Sequence, residues 1–167
     1  MATPTSVSAN LERVDYGGPA GSIQLGQHRQ VISEAVATRT LTAKESGALC
    51  CFDRAAGTVY TLPAPVKGMY FDFATTVSVT SNAHKVITNA ATVFLVGGIV
   101  ISSQTVAESG DQFAADGTTI VAISEDGATK GGLVGGAYRL TAISSTQWQI
   151  NGLSVGAGTL ATPFATS

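Results

Sequence analysis

Residues 40–73 read TLTAKESGALCCFDRAAGTVYTLPAPVKGMYFDF, three short apolar runs cut apart by turn residues. The runs are 48–52 after Ser46-Gly47, 58–62 after Ala56-Gly57, and 68–73 after Pro63-Ala64-Pro65. Runs of about five residues at a spacing of about 8–12 specify the strands of a β-sandwich or small barrel. No stretch of the chain sustains a helical period. We therefore expect an all-β fold: a single β-sandwich or small β-barrel, jelly-roll-like, of about 8–10 short strands.

The turn residues downstream extend this pattern. Residues 72–79 and 84–88 flank Thr80-Ser81-Asn82-Ala83 and predict a hairpin; residues 92–96 and 99–102 flank Gly97-Gly98 and predict another. Ser109-Gly110-Asp111 and Ala115-Asp116-Gly117 bracket a short link before an alternating strand over 118–124. A Gly-rich loop runs from Glu125 to Gly136, and a last hairpin pairs 137–143 with 147–151.

Residues 1–37 differ. Pro4, Gly17-Gly18-Pro19, Gly21 and Gly26 punctuate them, and Leu11, Val14, Tyr16, Ile23 and Leu25 stand singly. Only 27–37 could form a helical turn or two. Such a segment buries little surface by itself and is either a loose tail or an arm laid across a partner. Its scattered apolar and aromatic residues favour an extended N-terminal arm over 1–37, with the β domain over 38–167. No charged side chain follows Arg139. The C-terminal tail, with Leu153, Val155, Leu160 and Phe164, is thus expected to dock along its own sheet or that of a neighbouring subunit.

Composition narrows the function classes. Charged residues are 12% of the 167, about half the usual share, and the formal net charge is −2. No basic footprint for nucleic acid is present. Residues 86–101 are apolar, but Asn89, Thr92 and Gly97-Gly98 interrupt them and they fall short of the ~20 residues of a membrane helix. Residues 1–10 have neither a positive start nor an apolar core, so a soluble protein without a secretory signal is expected. Cys50 and Cys51 are neighbours, which on a strand point to opposite faces; they are expected to be unpaired apolar residues in a reducing compartment.

No motif carries convincing chemistry. Gly152-Leu153-Ser154-Val155-Gly156 matches the nucleophile-elbow pattern, but Gly-Ala-Gly follows where a helix is needed, and no His lies after His84. Gly156-Ala157-Gly158-Thr159-Leu160-Ala161 matches a dinucleotide fingerprint without room for a βαβ unit. His28 and His84 are far apart, and the acids Glu108, Asp111, Asp116, Glu125 and Asp126 follow no calcium-loop spacing; they read as solvated turn carboxylates. With one Trp, the chain lacks the aromatic platform of a glycan-cleaving cleft, and Trp148 reads as core or interface filling beneath the last hairpin. No catalytic residue, cofactor or metal is expected, and the chain is not read as an enzyme.

Several motifs together resemble a known group. They are T-L-T-A-x-x-S-G at 40–47, F-D-x-A-A-G-x-x-x-x-L-P-A-P at 52–65, G-x-x-F-x-F at 68–73, T-S-N-A-H-K-V at 80–86 and W-Q-I-N-G at 148–152. Over 38–167 the chain is similar to small tailed-phage virion proteins that resemble capsid decoration, or cement, proteins. The resemblance implies a bacteriophage structural protein on the outer surface of the capsid, made in the host cytoplasm and assembled as a homotrimer. Its partners would be the major capsid protein and itself, with no nucleic acid or membrane. Leu11, Val14, Tyr16, Ile23, Leu25, Leu160 and Phe164 are then the candidate capsid or subunit contacts. The alternative is a tail-fibre or baseplate β module that binds a host surface or glycan.

Overall fold

The computed structural model describes residues 11–14, 23–27, 29–106 and 109–167. The chain divides into two compact units, Met1–Gln30 and Val31–Ser167. In the first, strand β1 (Leu11–Val14) pairs antiparallel with β2 (Ile23–Gln27), so these parts of the N-terminal segment form a hairpin. The second unit begins ahead of the Thr38 boundary read from the sequence. It starts with β3 (Val31–Ile32), inside the stretch 27–37 that the sequence allows as a helical turn or two.

The remaining strands are β4 (Thr38–Thr40), β5 (Leu49–Phe52), β6 (Val59–Thr61), β7 (Tyr70–Thr75), β8 (His84–Ile87), β9 (Phe94–Ser103), β10 (Gly110–Asp116), β11 (Ala122–Glu125), β12 (Ala137–Ala142), β13 (Gln147–Gly156) and β14 (Phe164–Ala165). A 3-10 turn at Ala43–Glu45 is the only helical element among the described residues. The larger unit is a β-sandwich of two mixed sheets. One has seven strands in the order β10-β9-β13-β12-β7-β5-β3, the other five in the order β14-β11-β8-β6-β4. Neither closes into a barrel, and the larger unit holds more strands than the 8–10 expected.

From β3 to β8 the chain alternates between the sheets. Odd strands enter the larger sheet and even strands the smaller, so β3, β5 and β7 lie parallel, as do β4, β6 and β8. These are successive turns of a two-sheet coil. The predicted hairpin of 72–79 with 84–88 is therefore absent: β7 and β8 belong to opposite sheets, and the Thr80-Ser81-Asn82-Ala83 turn carries the chain across the sandwich.

From β9 onward long strands take over. The second predicted hairpin is one continuous strand, β9, running straight through Gly97-Gly98. Gly97 adopts φ +107, and a Cβ there would lie 2.5 Å from the Ile150 carbonyl oxygen on β13. A glycine pair can mark close backbone approach as readily as a turn, and here it does. The expected link at 109–117 is strand β10, paired along its length with β9. The alternating run at 118–124 becomes a strand only from Ala122. Ahead of it, the Asp116 carboxylate accepts the Thr118 and Thr119 amides, both at 2.8 Å, and closes a turn. The last hairpin forms as predicted, β12 against β13, and β13 continues to Gly156.

The core lies between the sheets. Alternation along β7 turns Phe71 and Phe73 inward, β12 contributes Tyr138 and Leu140, and β13 contributes Trp148 and Ile150. Phe52 packs on Tyr60, Phe73 and His84 with ring centroids 5.4, 5.9 and 4.5 Å apart. Trp148, with no exposed surface, sits 6.0 Å from Phe71 and faces Ala142 and Leu95 in register. Cys50 and Cys51 are both buried, and burial pushes the Cys50 thiol up to about 12. That makes it a packing residue, not a nucleophile.

Candidate functional site

The C-terminal tail and the N-terminal strands hold the contact residues that sequence reasoning singled out, and two further places emerge only in the fold. The C-terminal tail docks on its own unit. Phe164 pairs with Ile123 of β11 and is buried in the core, so its ring is not presented at the surface. Leu160 is half-buried, and the neighbouring Ala161 amide donates to the Thr129 carbonyl at 2.9 Å. Leu11 and Val14 lie on β1, Ile23 and Leu25 on β2. Tyr16, His28 and Glu108 fall outside the described residues.

The outer face of the seven-stranded sheet is exposed. Register aligns Asp72, Arg139, Asn151, Gly98 and Ala114 in one row across it. The flanking rows carry Tyr70, Thr141, Gln149, Val96 and Asp116 on one side and Ala137, Leu153, Val100 and Gln112 on the other. Val100 and Leu153 are 42% and 41% exposed. The ions in the central row neutralise each other: Arg139 Nε and Nη2 donate to the two Asp72 carboxylate oxygens at 2.7 and 2.8 Å, and the guanidinium lies 4.6 Å from the Tyr70 ring centroid. The result is a surface of mainly small, amide and aliphatic groups, with the Asp116 carboxylate at its β10 edge.

The cluster that sequence reasoning missed surrounds Glu125. This carboxylate, read as a solvated turn acid, is completely buried at the end of β11. Ser154 Oγ donates to its Oε1, and Tyr138 OH lies 3.4 Å from Oε2. Burial without a cation pushes the Glu125 carboxyl up to about 7, against the opposing pull of these two hydroxyls. The Gly132 amide donates to Ser154 Oγ at 3.2 Å and thereby fixes the hydroxyl's direction.

The GxSxG match acquires a structural meaning here. Gly152, Ser154 and Gly156 are alternate residues of β13, and all three point inward. A Cβ on Gly152 would lie 2.5 Å from Tyr138 Cα, and one on Gly156 would lie 2.7 Å from the Ala128 carbonyl oxygen. The motif is a row of small residues beneath the Gly-rich loop, not a strand-to-helix elbow. Ser154 is wholly buried, and its hydroxyl is held between the Glu125 carboxyl and the Gly132 amide. His84, the other buried titratable group of note, stacks on Phe52, with Nε2 3.0 Å from the Val77 carbonyl oxygen; burial lowers its pKa.

Other acids serve turns. Asp126 accepts the Ala128 and Lys130 amides, both at 2.9 Å, just as Asp116 organises its own turn. No group of three His, Cys, Asp or Glu able to hold a metal occurs among the described residues. No known family model matches the chain, and no curated protein or solved structure matches it either.

Proposed function

We propose that this chain is a structural protein of a tailed-phage virion that binds the outside of the head as a decoration protein, assembled as a trimer. The observation that carries the reading is the outer face of the seven-stranded sheet, where the central charges pair with each other and the one further charge in these rows, Asp116 at the β10 edge, is engaged by the Thr118 and Thr119 amides. Such a face gives contact area without ion-pair demands, and burial at ~25 cal/mol per Å² supplies the drive. The motif resemblance over 38–167 supplies the setting. Closed cyclic symmetry multiplies each weak contact and shelters sheet edges.

The test is attachment to empty heads from the genome that encodes the chain. The expected result is saturable binding in many copies per shell, retained when salt is raised from about 0.05 to about 1 M, because screening weakens only charge–charge interactions. Removing residues 2–30 should leave the unit Val31–Ser167 folded and weaken attachment. Elution that climbs steadily with salt would refute an apolar interface. Absence from heads, with a few copies on the tail, would assign the chain to a fibre or baseplate instead.

A further inference from the structure

The Gly-rich loop over 126–136 is fastened at several points. Its Gly132 carbonyl accepts the Val79 amide at 3.1 Å, and Leu133 N–H donates to the Val155 carbonyl at 3.0 Å. It in turn holds the C-terminal tail: Ala157 N–H donates to the Ala128 carbonyl and Ala161 N–H to the Thr129 carbonyl, both at 2.9 Å. Directly beneath lies the Glu125 carboxylate, joined to the loop through Ser154 Oγ and the Gly132 amide. Glu125 comes from the five-stranded sheet, while Ser154 and Tyr138 come from the seven-stranded one. The cluster is thus a polar tie between the sheets, roofed by the loop.

Among the described residues, no cation faces this carboxylate. From β8, His84 lies opposite Glu125 in register but gives Nε2 to Val77, and Lys85 lies opposite Ser124. From β12 come Tyr138 and, on the outer face, Arg139, which is paired with Asp72. The loop adds Asp126, whose like charge disfavours ionisation of Glu125, and Lys130, which is exposed. Neither β13 nor β14 brings a charged residue. An ionised carboxylate here is a buried, unpaired charge, whose desolvation outweighs two hydroxyl hydrogen bonds. Short of regaining its proton it lowers its energy by admitting water, and Gly131 and Gly132 of the loop lie directly against it, a Cβ on Gly131 falling 3.1 Å from its Oε1.

We infer that Glu125, Ser154 and Tyr138 form a proton-operated latch: the neutral carboxyl keeps loop 126–136 and the tail closed, and its ionisation opens them. The sign follows from linkage. A carboxyl raised from 4.5 to about 7 holds its proton in the closed form while the open form releases it. Closure is therefore fully favoured below about 4.5, weakens as pH rises toward about 7, and is level above that. This latch does not depend on where the protein resides.

The experiment is amide hydrogen exchange on the full chain at pH 5 and pH 8, corrected for intrinsic exchange, with the Glu125 side-chain carboxyl followed by carbon NMR. We expect protection at Gly132, Ala157 and Ala161 to fall by about two orders of magnitude between these pH values, while β9 amides hold steady. The carboxyl should titrate near 7. Glu125→Gln, which keeps a neutral group, should abolish the change. Tyr138→Phe removes a hydroxyl that favours the ionised form, so it should move the midpoint to higher pH; this variant keeps the idea testable if Glu125→Gln does not fold. Protection that is unchanged with pH, a carboxyl that titrates near 4.5, or a midpoint unmoved in Tyr138→Phe would each overturn the latch.

Discussion

Residues 31–87 and residues 94–156 build one sandwich by different means. In the first, strands of two to six residues cross from sheet to sheet, and each pairs in parallel with the strand two before it. In the second, β9 and β13 run for ten residues each, side by side, in one sheet. The coil has few ladder bonds per strand, and its aromatic centre of Phe52, Tyr60, Phe73 and His84 holds it together. The long-strand region depends on backbone contact close enough to exclude a Cβ at Gly97. One region is held chiefly by side chains, the other by side chains and a long parallel ladder that leaves no room for a Cβ at Gly97.

The sharpest way to break that contrast is to remove one large core ring from each region. Trp148→Ala and Phe52→Ala should each lower stability by ~3–5 kcal/mol, a large share of a domain's total. Because both rings belong to the same core cluster, denaturant unfolding should remain a single transition. Two transitions would show that the regions unfold separately.

Next in size is a pair of glycine substitutions. Gly97→Ala places a methyl against the Ile150 carbonyl at φ +107 and should destabilise by ~2–3 kcal/mol. Gly68→Ala, in the coil region at φ +92 with open space around it, should lose only the ~1–2 kcal/mol of left-handed strain. Equal losses in chemical denaturation would remove the special place given to the β9–β13 approach.

The smallest effects belong to the surface. Arg139→Ala breaks an exposed pair, its own side chain being 53% exposed, and should change stability by less than ~1 kcal/mol. Asp116→Ala should speed exchange of the Thr118 and Thr119 amides and leave the strands untouched. Hydrogen bonds from Thr119 and Thr118 hold the Asp116 carboxyl below the usual carboxylate range. Its contribution is thus present above 3.8 and lost only as pH falls through the depressed value.

Strand positions were the most legible property of the chain. Residues 48–52, 58–62, 68–73 and the 137–151 hairpin announce themselves because hydrophobic runs and turn residues are local signals. Sheet membership is not local. Thr80-Ser81-Asn82-Ala83 has turn chemistry whether the next strand pairs with the last or crosses to the other sheet, and only the completed sandwich decides. Gly97-Gly98 is ambiguous for a similar reason, since the partner backbone that needs the space lies on β13. Glu125 beside Asp126-Gly127 looks like a turn acid; its burial depends on Tyr138 and Ser154, 13 and 29 residues away. The one available cue was the Gly-x-Ser-x-Gly spacing, which at strand period places small residues on one face.

The position of β13 has a consequence for synthesis. It lies between β9 and β12 and is the last strand of its sheet to be translated. Until residues 147–156 leave the ribosome, that sheet exists in two pieces, β10–β9 and β12–β7–β5–β3, each with a long unpaired border at the future seam. Such borders are where nascent chains stick to one another. A chain halted just short of β13 would be more adhesive than one halted much earlier, and arrival of that single strand seals both borders at once.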